Sequence, residues 1–274
     1  MTLNGAMFPA SAGRRTVVPC LERAARLFTT ERSLELERWI EYTFALANWC
    51  IRQANTSIVI GDLEGAARWS MVAARILTRR SDPLVSREIE EILLKIGATL
   101  PRYSWQRSED SAPKRFLHVI EEPRPYGGHT AMAKRWIEND PDNHIHSVAI
   151  LSTTASVPET IASAVAQSCG QLYTANRVSD RSISLLQRAA WLRKLAFTQA
   201  DCVVLHTFGE NAVVPIAFGV NGGPPVLLVN HAAHVFWLGA SVADVVLNCR
   251  GSAYEKYWTV VHRGIPRCET LPIP

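Results

Sequence analysis

The chain has 274 residues, 47% of them hydrophobic, and a formal net charge of +4. That supports a well-buried core in one large domain or two smaller ones. The charge is too small and too scattered for a nucleic-acid footprint, and leaves only a weak pull toward phosphates or at most peripheral contact with an acidic membrane surface.

No apolar run reaches the length needed to span a bilayer. The opening "MTLNGAMFPASAGRRTVV" lacks the charged-then-apolar order of a secretory signal. The six cysteines, Cys20, Cys50, Cys169, Cys202, Cys249 and Cys268, form no Cys-x-x-Cys pair, so a thiolate metal site is not expected. A cytoplasmic location is the expectation.

Residues 1–30 read as a loose leader. From 31 to 102 the pattern is helical. Leu36, Trp39, Ile40, Phe44, Ala47 and Ile51 recur at spacings of three and four, which predicts an apolar stripe, with Ser33 as its N-cap. "SIVIGD" breaks that helix, and "LEGAARWSMVAARILTRR" predicts a second. Pro83 opens a predicted third, which stops at Gly97. The pair resembles a single tetratricopeptide-type hairpin, but one unit is no array, and a helical prefix packed on the following domain reads as well. Residues 103–114, polar and proline-bearing, read as a linker.

From 115 to 274 short β-rich runs alternate with amphipathic ones. "RFLHVIEE", "HIHSVAILST", "QLYTAN", "DCVVLHTF", "PPVLLVNHA" and "VADVVLNC" predict strands. "TAMAKRWIEND", "VPETIASAVAQSCG", "SISLLQRAAWLRKLAFTQA", "ENAVVPIAFGV" and "GSAYEKYWTVVHRG" predict helices. "VVLH" and "VLLV" are continuously apolar, as strands buried on both faces must be. The fold class is therefore α/β, a doubly wound, mostly parallel sheet preceded by an α-helical segment.

Ligands of such sheets bind at the carboxyl ends of strands, which selects four segments. Gly127 and Gly128 stand where a strand feeds a helix. They suit positive φ or close backbone approach of a phosphate or sugar, and equally a tight turn with no ligand. His206 ends a buried strand, where a core histidine is the commoner reading. Asn230, His231 and His234 end another, with Trp237 beyond. No acid or thiol neighbours that His-x-x-His, so sugar or phosphate hydrogen bonding suits it better than a metal; local turn capping with Trp237 in the core is the alternative. Arg250 follows the last run, as an anion clamp or an ordinary salt bridge. The dinucleotide pattern Gly-x-Gly-x-x-Gly, the phosphate-loop Gly-Lys-Ser/Thr and the Gly-x-Ser-x-Gly elbow are all absent.

In order and spacing these segments resemble the amino-terminal Rossmann-like half of GT-B glycosyltransferases, particularly the family-four type. The likeness covers Arg115–Pro274 and rests on the Gly127-Gly128 loop, the Asp201–His206 strand, the Pro225–His231 strand, the Ala243–Arg250 segment and the closing "LPIP". It implies an acceptor-side half that moves a sugar from a nucleotide-sugar donor, with no further cofactor and no metal. It places Gly127-Gly128 near the donor diphosphate or the acceptor, His231 against the transferred sugar and His206 on the acceptor side. His129, His231 and Glu121 are the candidate bases for an inverting reaction. Arg250 stands where the family more usually has serine, and His234 and Trp237 map to nothing in its pattern. The acidic donor-binding motif of the other half is absent, so a fragment, a second polypeptide, or a domain without catalysis is implied. The partners expected are therefore an acceptor, a nucleotide-sugar and a second Rossmann-like half or partner protein. A non-catalytic assembly module and a sugar-nucleotide epimerase are the alternatives.

Overall fold

The computed structural model describes residues 30–79, 83–109, 112–142, 144–175 and 183–272, with side chains from Glu35 onward. The leader up to residue 29 and the final Ile-Pro of "LPIP" lie outside the described residues. The chain divides into two compact units, Met1–Leu46 and Ala47–Pro274. Helix α1, Thr30–Val59, runs through the boundary. In the first unit Leu36 and Trp39 of the predicted stripe are exposed and Ile40 and Phe44 half-buried, and off the stripe Tyr42 is exposed too; in the second Ala47, Cys50, Ile51 and Ala54 are buried.

The second unit begins with helices and continues into a sheet. Gly61 turns the chain at φ +81°, a conformation an L side chain resists. Asp62 then caps α2, Leu63–Thr78, by accepting the N–H of Gly65 at 2.8 Å. Helix α3 is Arg87–Thr99, capped by Ser86. Pro83 does not open it, and Gly97 does not end it. Gly97 is needed inside the helix, because a Cβ there would lie 2.6 Å from the carbonyl oxygen of Ile216.

The α/β part runs β1 Arg115–Ile120, α4 Gly128–Glu138, β2 Ile145–Ile150, α5 Glu159–Gln167, β3 Leu172–Thr174, α6 Leu185–Gln199, β4 Cys202–His206, α7 Val213–Phe218, β5 Val226–Asn230, β6 Val245–Asn248, α8 Ala253–Tyr257, a π turn Trp258–His262, and β7 Cys268–Thr270. The seven strands form one all-parallel sheet in the order β3-β2-β1-β4-β5-β6-β7, the Rossmann-like arrangement. Ile120, Val148 and Ile150 pack under Ala133 and Ile137 of α4 and Ile161 and Val165 of α5. On the other face Leu117, Val119, Val203 and Leu205 are equally buried. Burial on both faces is why these strands read as continuous apolar runs. No helix among the described residues is long and apolar enough to cross a membrane.

Charged side chains tie the helices to the sheet layers. Arg193 of α6 is fully buried. It donates to the carbonyls of Gly97, Ile216 and Ala217 at 2.7 Å and, more weakly, to those of Leu100 and Pro101. One guanidinium thus closes the carboxyl ends of α3 and α7. Glu90 of α3 accepts the N–H groups of Gly239, Ala240 and Ser241. Glu64 of α2 accepts those of Leu185 and Leu186, the first residues of α6. The 103–109 stretch is anchored too, since Asp201 accepts from Ser108 and Arg115.

Arg193→Met keeps the stem and removes the donors, leaving buried carbonyls unpaired. Each orphan costs about 1–3 kcal/mol, so a total loss on the order of 3 kcal/mol or more is expected, or roughly 6–12 °C in Tm for a chain of this size. Thermal unfolding measures it; a change within about 2 °C would remove Arg193 from this role.

Candidate functional site

Strand order reverses between β1 and β4, and in an open parallel sheet the crevice for ligands lies there, beyond the carboxyl ends. Glu121, His129, His206, Asn230 and His231 come from loops or strand ends at that rim. His129, at the start of α4, and His231, just after β5, stack with ring centroids 4.0 Å apart. His206, the last residue of β4, lies beneath them, 5.8 Å from His231.

Proton positions at His129 follow from its partner. Nδ1 lies 3.0 Å from the His206 carbonyl oxygen, which can only accept, so Nδ1 carries the hydrogen. Burial holds the ring below its ordinary pKa, against the opposing pull of that bond. The neutral ring therefore presents Nε2 as a bare lone pair. Burial and the neighbouring His129 push His231 down to about 3.

Three cavities share walls along this rim. The first, about 190 Å³, is lined by His129, Phe208, Asn230, His231 and Trp237, among others. The second, about 290 Å³, holds His231, His234 and Arg250. The third, about 490 Å³, is polar and bounded by Glu121, Arg188, Ser152 and Glu210. His231 belongs to the first two, and Phe208 and Glu210 to the first and third. The first two are smaller than the usual pocket for a drug-sized ligand. In the first cavity's wall Asn230 Oδ1, His231 Nε2 and Trp237 Nε1 are buried without a hydrogen-bond partner, which is uncommon in a satisfied core.

The other sequence candidates fall into place around these. Asn230 donates to Asn248 at 2.8 Å, joining β5 to β6. His234 is exposed at the mouth of the second cavity. Arg250 is exposed, with its backbone N–H on Glu255. Gly127 and Gly128 have no positive φ. A Cβ at Gly128 would meet nothing, so neither backbone strain nor packing explains that glycine. Glu121 accepts from Phe208 N–H and the Asn211 side chain, and so braces the rim.

Four residues escaped sequence reasoning. Arg188 lines the third cavity. Arg263 stacks 4.3 Å over the Trp237 ring, nearly buried, with Nε and Nη1 unpartnered. Both sit inside amphipathic runs where an arginine looks like a solvated face. His118 and His146 lie in buried strands and read as core. Their signal was parity: with His206 they occupy the same face of three adjacent strands.

No family model matches this chain, and no curated protein does. Among solved structures it is similar to a mutant O-GlcNAc transferase of Thermobaculum terrenum, at 12% identity and TM-score 0.42 over 77% of this chain. It is also similar to the 54 kDa signal recognition particle protein of Aeropyrum pernix K1 in complex with GDP, at 14% identity and TM-score 0.33 over 83% of this chain. The chain spans 40% of the first and 64% of the second. With both TM-scores below one half, neither likeness bears on activity.

Burying neutral imidazoles has a thermodynamic signature. In the unfolded chain each histidine titrates near 6.5. In the fold, burial first and neighbouring rings second hold His118 and His231 down to about 3 and His206 well below normal. The unfolded state then binds more protons below pH 6.5, so stability falls as pH drops from about 6.5 toward 3. The groups facing these rings are His129, His146 and, beyond His146, Asp140 with His144. Urea midpoints measured across that range should decline steadily; a flat profile down to pH 4 would show that the rings are not buried neutral.

Proposed function

We propose that this chain is the acceptor-side half of a glycosyltransferase, binding a sugar acceptor in the rim cavities and placing one hydroxyl against the stacked His129–His231 pair. The observation that carries the reading is His129: its Nδ1–H is tied to a backbone carbonyl, so its Nε2 lone pair stays free at a cavity wall. The sequence resemblance to GT-B amino-terminal halves supports the same assignment.

The chemistry asks three things of this rim. A hydroxyl must be oriented, which the His129 lone pair and the Asn230 amide suit. Its proton must be taken as oxygen attacks the anomeric carbon, and the bond from that carbon to the donor diphosphate breaks; a neutral imidazole of the pair is the base. The departing diphosphate is anionic, and Arg188, Arg250 and the amino end of α4 supply positive potential at the rim. The nucleotide itself belongs to a second Rossmann-like half, on the same polypeptide or a partner, so turnover requires that half.

Saturable binding of a mono- or disaccharide, read by tryptophan quenching with Trp237→Phe as control, is expected. With the donor-binding half supplied, His129→Ala and His231→Ala should each lower release of nucleoside diphosphate by about 10²-fold or more. Undiminished transfer in both variants overturns the base assignment, and no sugar binding at millimolar concentration overturns the reading.

A second reading, a non-catalytic assembly module, draws on the exposed Leu36, Trp39 and Tyr42 of α1. It expects a stable partner complex whose activity is indifferent to both histidine variants.

A further inference from the structure

A hydrogen-bonded chain of three buried histidines runs diagonally beneath α4. Asp140 stands at the amino edge of the sheet, in the turn before β2. Its Oδ2 lies 3.0 Å from His146 Nε2. His146 Nδ1 lies 3.0 Å from His118 Nε2, and His118 Nδ1 lies 3.2 Å from His206 Nε2. The strand register explains the diagonal: His146 pairs with Phe116, two residues before His118, and His206 pairs with Ile120, two residues after it.

The carboxylate fixes every proton in this chain. An ionised carboxylate only accepts, and the donors on Asp140 outweigh its burial, holding it down to about 2. His146 must therefore carry its hydrogen on Nε2. Being neutral, it offers Nδ1 as acceptor, so His118 carries its hydrogen on Nε2. The same step fixes His206 as Nε2–H. His206 Nδ1 is then a bare lone pair, fully buried and without a donor. The nearest ring at the rim is His231, whose Nε2 is likewise buried and unpartnered. Their centroids are 5.8 Å apart, against 5.4 and 5.2 Å for the two bonded pairs in the chain. No hydrogen bond joins these two nitrogens in this structure, so the path requires the rings to close until His231 Nε2–H donates to His206 Nδ1.

We infer that Asp140, His146, His118 and His206 form a proton path across the sheet, which draws a proton from His231 at the rim to the opposite edge. The inference rests on the glycosyl-transfer reading for its source of protons and makes His231, the ring with an outlet, the base of the stacked pair. As His231 Nδ1 takes the hydroxyl proton, its Nε2–H passes to His206 Nδ1. The Nε2–H of His206 passes to His118 Nδ1, that of His118 to His146 Nδ1, and that of His146 to Asp140. Every ring ends neutral as its Nδ1–H form. The negative charge moves from Asp140 to the leaving diphosphate. Asp140 lines an open cavity of about 550 Å³ at the far edge, where the proton reaches solvent. No imidazolium has to exist inside the sheet, where burial disfavours it. His118, His146 and Asp140 are thus positioning residues for the proton on His231.

Imidazole ¹⁵N NMR of the histidine-labelled chain tests the path without substrate. The expectation is Nε2–H for His146, His118 and His206 at neutral pH, and displaced His206 nitrogen signals in Asp140→Asn, whose amide can donate. An Nδ1–H or cationic resting form, or unmoved His206 signals in a folded Asp140→Asn or Asp140→Ala, overturns the path whatever the reaction is. With the donor half present, His118→Gln keeps hydrogen-bonding groups but cannot relay. It should lower kcat about tenfold or more at unchanged KM, with an altered solvent isotope effect and pH profile. An unaltered isotope effect and pH profile would leave the chain structural and overturn the relay. Displaced signals in a chain with no transfer activity would sink the glycosyltransferase reading instead.

Discussion

Arg193 is the contact on which the rest of the unit depends. A guanidinium with no exposure is costly to desolvate, and it is retained here because it meets carbonyls from three segments at once. Two of those segments are the carboxyl ends of α3 and α7, where the helix dipole favours a cation. The third leads into the stretch that Asp201 pins to the start of β1. Glu90 is the acidic counterpart, its carboxyl raised above its usual pKa by burial against the hydrogen bonds it accepts. It accepts N–H groups of the 239–241 turn, directly after Trp237, which walls the first cavity. Arg193 at the helix ends and Glu90 at the 239–241 turn therefore hold α3, α6, α7 and the chain beside the rim in one frame. Helix α2 helps to position the site, since its Thr78 and Arg75 also line the cavities.

Within that frame, desolvation governs the chemistry. Six of the eight histidines, at 118, 129, 144, 146, 206 and 231, form one array of ring contacts. Cations so close would repel one another, and burial already penalises each charge, so the rings at its centre stay neutral. A neutral imidazole both donates and accepts. One charged anchor, Asp140, suffices to orient a series of them, because each ring passes its constraint to the next. Valine or leucine at these strand positions would pack as well and need no such order; the polar atoms are the part of the core that packing alone does not require.

The sheet was legible because alternation of continuous apolar runs with amphipathic ones has few other solutions, and each predicted α/β element has a counterpart. Helix ends were less legible. Pro83 and Gly97 carry the local signals of a start and a stop, but Ser86 takes the cap and the tight approach of the Ile216 carbonyl takes the glycine. Tertiary contact overrode local chemistry at Gly97, whereas at Pro83 a second local signal, the Ser86 cap, prevailed. At the rim, His206 and His231 could be named from the strand-end rule, and His129 only as a base that the family resemblance implies. Gly127 and Gly128 could be placed but not explained by positive φ. His118 and His146 could not be separated from core histidines, because what distinguishes them is register between strands distant in sequence. Arg193 and Arg263 were silent because their partners, distant carbonyls and the Trp237 ring, are met only in the folded chain.

The arginines show how this rim can be anion-seeking without ionised histidines. Arg188 is pulled below its ordinary pKa by burial, against the acids Glu121 and Glu64, and its Nε has no partner. Arg263 is held down to about 10 by burial alone, still a cation at neutral pH, stabilised on one side by the Trp237 face. Incompletely paired guanidinium groups in a low-dielectric wall act over a longer range than exposed ones, because water screens them less. Arg188 faces the third cavity directly, while Arg263 reaches the first only through the Trp237 ring it stacks on. With charge carried on arginine, the rings can be buried deeply enough to stay neutral and hold a fixed tautomer while the rim keeps a positive potential.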